Sequence, residues 1–101
     1  MGNIYDSTHK KLGKIDDDRH IWNSAGEKIG YSDGKKLFDM DGHLVGWVDP
    51  DGKIYDGDAR HAGFVESETG AVKDWNGRMV GKSDTPHLEL GAAALLLFFM
   101  E

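Results

Sequence analysis

The stretch DGHLVGWVDPDGKIYD, residues 41–56, decides the fold. LVGWVD at 44–49 reads as a short strand of aliphatic, glycine and aromatic residues. Asp-Pro-Asp-Gly at 49–52 then turns the chain, because proline presets one backbone angle and Asp and Gly accept the tight conformations that follow. KIYD at 53–56 opens the next strand with an aliphatic residue, an aromatic and an Asp.

The same signature recurs along the chain. Glycines 13, 30, 46, 63 and 81 are spaced 17, 16, 17 and 18 residues apart. Seven residues before each stands Asp6, Asn23, Asp39, Asp56 or Asp74, preceded by the aliphatic–aromatic pairs Ile4-Tyr5, Ile21-Trp22, Leu37-Phe38 and Ile54-Tyr55, and by Val72-Lys73 in the last unit. Leu12, Ile29, Val45, Ala62 or Val80 directly precedes the glycine, and Asp16, Asp33, Asp49, Glu66 or Asp84 follows three residues after it. Self-similarity at a fixed period is the mark of a repeat architecture.

Each unit reads as a β-hairpin whose turn (SAG at 24–26, MDG at 40–42, WNG at 75–77) puts Gly third, where a three-residue hairpin needs a left-handed residue. The expectation is an all-β fold of about ten strands of 3–5 residues, arranged radially or as a closed ring, with almost no helix before residue 86. A glycine in mid-strand needs a reason. We expect an aromatic ring over its bare backbone, from Tyr5, Trp22, Phe38 or Tyr55. A second aromatic column follows the glycine as Tyr31, Trp47 and Phe64, with Lys14 and Lys82 in the outer units, which suits the solvent-facing ends of an array; a closed ring with the tail over its seam is the other arrangement.

Five units of this form resemble the five-fold β-flower proteins, carried by GNIYDSTHKKLGKID, RHIWNSAGEKIGYSD, DGHLVGWVDPDGKIYD and KDWNGRMVGKSD over residues 2–84. Lys73, Ala59 and Ala62 depart from the pattern. The resemblance implies a small domain of radially arranged hairpins and brings no catalytic motif.

Composition narrows the function. A chain of 101 residues supports one modest core. With no Cys, thiolate catalysis, disulfides and Cys-based metal sites are excluded. A net charge of −6 argues against nucleic acid as a partner, which requires clustered cations. The start, MGNIYDSTHKK, lacks the apolar core of a signal peptide, so the cytoplasm is the expected compartment.

The chain divides into a five-repeat hairpin domain, 1–86, and a hydrophobic tail, 87–101, with GAAALLLFFM at 91–100 carrying no charge. As a helix those ten residues would span about 15 Å, half of the roughly 30 Å of a bilayer core. Membrane contact is further disfavoured by Glu89, Glu101 and the lack of flanking cations. A helix apolar on every side must be enclosed. It either plugs its own ring or packs against other copies; because short hairpins leave little interior, self-association through Leu95, Leu96, Leu97, Phe98 and Phe99 is the favoured expectation.

Catalytic chemistry is thin. His9, His20, His43, His61 and His87 sit at different offsets in the repeat and form no metal-binding pair. The Asp-rich turns at 39–42 and 49–52 lack the glutamate at position twelve of a calcium loop, since Pro50 and Arg60 stand there. Asp6, Asp39, Asp56 and Asp74 recur at one offset, and Asn23 replaces them once, which suits turn capping better than proton transfer. No metal or cofactor is expected. The expected function is a non-enzymatic binding or scaffolding module that forms a homo-oligomer. The alternative is a protein holding a small aromatic or nucleotide-like ligand, on Tyr5, Trp22, Phe38 and Tyr55 converging in a ring, with Arg60 and His61 in the one turn, Gly-Asp-Ala-Arg-His at 57–61, that has Ala59 in place of glycine.

Overall fold

The computed structural model describes residues 2–84 and 87–99. Ten strands of four or five residues follow one another: β1 Gly2–Asp6, β2 Lys11–Ile15, β3 His20–Asn23, β4 Lys28–Ser32, β5 Lys36–Asp39, β6 Leu44–Val48, β7 Lys53–Asp56, β8 His61–Val65, β9 Ala71–Asp74 and β10 Met79–Ser83. Each pairs antiparallel with its sequence neighbours, and β1 pairs with β10, so the sheet closes as a barrel of five hairpins. The expected repeat and its closure are both realised. There are no terminal units: Ile4 stands opposite Ser83 across the seam, and Lys82 opposite Tyr5.

Period two sorts the columns between the faces. Ile4, Ile21, Leu37, Ile54 and Val72 point inward and are fully buried. The next residue of each strand points outward. Opposite the aliphatic residue in each hairpin lies the column glycine, as in Ile21 against Gly30 and Leu37 against Gly46, so glycine also faces the axis. The residue before it is a bulge. Ile21 pairs with Gly30 and Trp22 with Lys28, which leaves Ile29 unpaired, and Leu12, Val45, Ala62 and Val80 hold the same place. A bulge re-aims a side chain and raises local twist. Here it brings the five aliphatic residues against the core.

The turns follow one hydrogen-bonding plan. The Oδ1 of Asp39 accepts from the N–H groups of Asp41 and His43, both at 2.9 Å. Asp6, Asn23, Asp56 and Asp74 accept from the second and fourth residues after them in the same way. The third turn residue is left-handed throughout: His9 at φ 69°, Gly26 at 82°, Gly42 at 83°, Ala59 at 66° and Gly77 at 85°.

The axis is filled by the tail. Helix α1, Leu88–Ala94, runs on into a π-helical turn, Leu95–Phe99. Ala92, Ala93, Ala94 and Leu95 are fully buried, in one cluster with the inward aliphatics. The change at residue 87 therefore marks a change of secondary structure and not a second core. A ten-stranded barrel has a wider bore than an eight-stranded one, whose side chains alone fill it. One slim helix of Gly and Ala occupies the remainder.

Candidate functional site

Five consecutive tail residues seat on five glycines. A Cβ built on Gly81 would lie 2.5 Å from Leu95 Cδ2, on Gly63 2.8 Å from Leu96 Cδ1, and on Gly46 2.5 Å from Leu97 Cδ1; on Gly30 it would lie 2.7 Å from Phe98 Cζ, and on Gly13 2.9 Å from Phe99 Cζ. The tail thus touches hairpins 5, 4, 3, 2 and 1 in turn, one residue to each. An α-helix advances about 100° per residue and a five-fold ring about 72° per unit, so a turn must widen to keep step. The i→i+5 winding of a π-helix is such a widening.

This corrects two expectations. The rings of Tyr5, Trp22, Phe38 and Tyr55 do not cover the glycines; what approaches them is the tail, with the rings of Phe98 and Phe99 at Gly30 and Gly13, together with the backbone carbonyl of the neighbouring strand at Trp22, Phe38, Tyr55, Lys73 and Tyr5. The tail also occupies its own ring. Leu95 is 0% and Leu97 6% exposed, so both side chains are buried in the barrel. Leu96, Phe98 and Phe99 remain half-buried at the mouth bordered by the hairpin turns, beside half-buried Leu12, Ile29, Val45 and Ala62.

The aromatic residues expected to converge are dispersed on the outer wall, because each follows an inward aliphatic residue by one position. Tyr5 faces Lys82, Trp22 faces Lys14, Phe38 stacks on Tyr31 at 5.4 Å, and Tyr55 stacks on Trp47 at 5.6 Å. Lys73 completes the belt, with its ammonium 5.8 Å from the Phe64 ring and 3.1 Å from Glu66. Of the proposed ligand residues only two side chains meet, Tyr55 and His61, at 5.5 Å. Arg60 is exposed in the adjacent turn. A cleft of ≈460 Å³ at the opposite mouth is lined by Gly34, Lys35, Val48, Asp49, Pro50, His87, Glu89 and Leu90, none of them among the residues expected to hold a ligand.

The carboxylates act as turn acceptors. The Thr8 hydroxyl and Lys10 N–H hold Asp6 below the ordinary carboxylate range, the Lys36 and Lys35 N–H groups do so for Asp33, and the His43 N–H for Asp39. Burial pushes Asp16 upward, but the Trp22 indole N–H (2.8 Å) and the His20 and Asp18 N–H groups outweigh it and leave it lowered. Asp39, Asp41 and His43 offer donor atoms within 4.8 Å of one another. Asp39 plays the same turn role as Asp56 and Asp74, whose turns carry Arg60 and Arg78 where His43 stands, so capping accounts for the grouping.

A family model described as 5-fold beta-flower protein matches residues 1–100, tail included. No curated protein and no solved structure matches the chain.

Proposed function

The chain belongs to the 5-fold beta-flower family, and from that premise we propose that it is a non-enzymatic ring module that binds a second copy of itself through the mouth its tail fills. One observation carries this reading. Leu96, Phe98 and Phe99 of the tail, with Leu12, Ile29, Val45 and Ala62 of the bulges, form a partly exposed apolar patch at one end of the barrel. Contiguous apolar patches on soluble proteins mark interaction sites. The tail takes part through Leu96, Phe98 and Phe99, which keep part of their surface open while resting on their glycines, whereas Leu95 and Leu97 are buried.

The non-enzymatic part rests on what the carboxylates do. Those recurring at the unit anchor each accept two backbone N–H groups, and the shifts at Asp6, Asp16, Asp33 and Asp39 all favour the ionised form. An acid catalyst at neutral pH needs the opposite shift.

Sedimentation velocity over a dilution series tests the reading. It predicts a reversible monomer–dimer equilibrium in the wild-type chain and a monomer at every concentration for Val45→Asp, which sets a charge in the patch. A wild-type chain that stays monomeric, or a Val45→Asp chain that still associates, contradicts it.

A further inference from the structure

In a five-fold ring each hairpin is a control for the others, and the outer wall of hairpin 3 (β5 and β6) differs from its equivalents. The connection leading into it, residues 33–35, is the shortest of the four between successive hairpins: the others are 16–19, 49–52 and 66–70. The Ser32 hydroxyl ties it, donating to the Lys36 carbonyl at 2.7 Å and accepting the Gly34 N–H at 3.0 Å. The Lys35 carbonyl then accepts the Val48 N–H at 3.2 Å, which sets Lys35 against the start of the next turn. A hollow of ≈300 Å³ opens there, lined by Lys35, Lys36, Leu44, Trp47 and Asp49, at the small end of the range for ligand sites. Tyr55 of β7 covers Trp47 on one side. The hollow, which Lys36 of β5 lines and Tyr55 does not, lies on the other.

No other hairpin combines these groups. Where Leu44 stands the chain elsewhere has Lys11, Lys28, His61 and Met79, and the counterparts of Lys35-Lys36 are Arg19-His20, Gly52-Lys53 and Gly70-Ala71. The carboxylates that follow the column glycine are engaged in neighbouring hairpins. Asp16 accepts the Trp22 indole N–H at 2.8 Å, Asp33 accepts the Lys35 and Lys36 N–H groups, and Glu66 pairs with the Lys73 ammonium at 3.1 Å. The Asp49 carboxylate makes no hydrogen bond or ion pair among the described residues, and neither does the ammonium of Lys35 or Lys36. The charges around the hollow nearly balance: Lys35, Lys36 and Lys53 stand against Asp33, Asp49 and Asp51. His87 and Glu89 lie across the mouth cleft that shares Lys35 and Asp49, and there the Ser67 hydroxyl donates to Glu89 at 3.3 Å. A ligand of either net sign gains little from such surroundings, whereas one carrying both signs finds a partner at each end.

We propose that this wall binds a small zwitterion with an aromatic body, the chemistry of a free aromatic α-amino acid. Its ring lies on the open side of the Trp47 indole and against Leu44, its carboxylate meets the Lys35 and Lys36 ammonium groups, and its ammonium meets Asp49. Ring stacking and charge-assisted hydrogen bonds supply the attraction.

The test follows the Trp47 indole N–H of the full chain by NMR during titration with L-phenylalanine, with hydrocinnamate, which lacks the ammonium, and with phenethylamine, which lacks the carboxylate. The expected result is a saturable shift with phenylalanine and at least about tenfold weaker binding of either fragment, the worth of one charge-assisted bond. Asp49→Asn, whose turn bonds run through backbone N–H and carbonyl groups, should remove most of phenylalanine's advantage over hydrocinnamate. Lys36→Gln, at an exposed position, should weaken phenylalanine and hydrocinnamate and leave phenethylamine unchanged. Hydrocinnamate binding as tightly as phenylalanine, an advantage that Asp49→Asn leaves intact, or no saturable shift at Trp47 with any of the three compounds overturns the proposal.

Discussion

Gly46 leaves open the space that Leu97 fills: a Cβ on the glycine would lie 2.5 Å from Leu97 Cδ1 and closer still to the Tyr55 carbonyl oxygen of the adjoining strand. Gly46→Ala is therefore expected to destabilise the fold by about 3 kcal/mol, the upper range for overpacking a well-filled core. Trimming the tail with Leu97→Ala in the same chain does not restore it, because the carbonyl cannot move without breaking the β6–β7 ladder. Urea unfolding of the single and double variants measures this. Recovery in the double variant would show that the side chain alone matters.

The turns carry the opposite opportunity. Ala59 and His9 adopt the left-handed conformation that Gly26, Gly42 and Gly77 hold in the equivalent turns. A non-glycine residue there costs roughly 1–2 kcal/mol. Ala59→Gly and His9→Gly should each raise the unfolding free energy by about 1 kcal/mol, part of the gain being offset by glycine's greater freedom when unfolded. A loss of stability would show that the side chains make contacts that outweigh the strain.

Much of this was legible in the sequence, and what was not has a physical cause. The hairpins were readable because Ile54 and Tyr55, or Gly46 and Trp47, repeat a period of two with turn residues between. What lies over the glycines is not legible from the strands, since a residue without a side chain does not declare its side. A clue was present: Lys14, Lys73 and Lys82 stand in the aromatic columns, and a position that exchanges aromatic for lysine belongs on a wetted wall. The seat of the tail was the harder inference. Leu95–Phe99 meet glycines 81, 63, 46, 30 and 13 only after the ring closes, and no local pattern encodes a correspondence between segments so far apart in the chain.

Ser83 shares its inward column with Ile15, Ser32, Val48 and Val65, and its hydroxyl is buried without a hydrogen-bond partner among the described residues. Gly91 of the helix passes directly against it. Ser83→Ala should raise stability by about 1 kcal/mol, since it removes an unsatisfied buried group. Ser83→Val, which places there the residue that Val48 and Val65 supply in hairpins 3 and 4, should lower it by crowding the helix. Thermal unfolding separates the two; a loss on Ser83→Ala would mean that the hydroxyl is satisfied after all.

Acid should loosen the turns. Asp6, Asp16, Asp33 and Asp39 all have carboxyls lowered in the folded chain from the ordinary 3.8. Groups of this kind contribute fully above their unfolded value and lose the contribution as pH falls through the lower folded one. The urea midpoint should stay level from pH 7 to about 5 and fall below about pH 4. Asp16→Asn should flatten part of that fall and shift the emission of Trp22, whose indole N–H donates to Asp16. A midpoint that rises on acidification would contradict the turn assignment.

The central claim is that the tail is the axle of its own ring, and the thermal unfolding of a chain ending at Leu90 tests it most directly. That chain lacks Ala92–Ala94 and all five residues seated on the glycines, so the aliphatic columns would face an empty bore. The account predicts loss of the cooperative transition and of the β-type circular dichroism spectrum, with both regained when a peptide of residues 91–101 is added. A truncated chain that remains a folded β-rich monomer with a cooperative transition would contradict it.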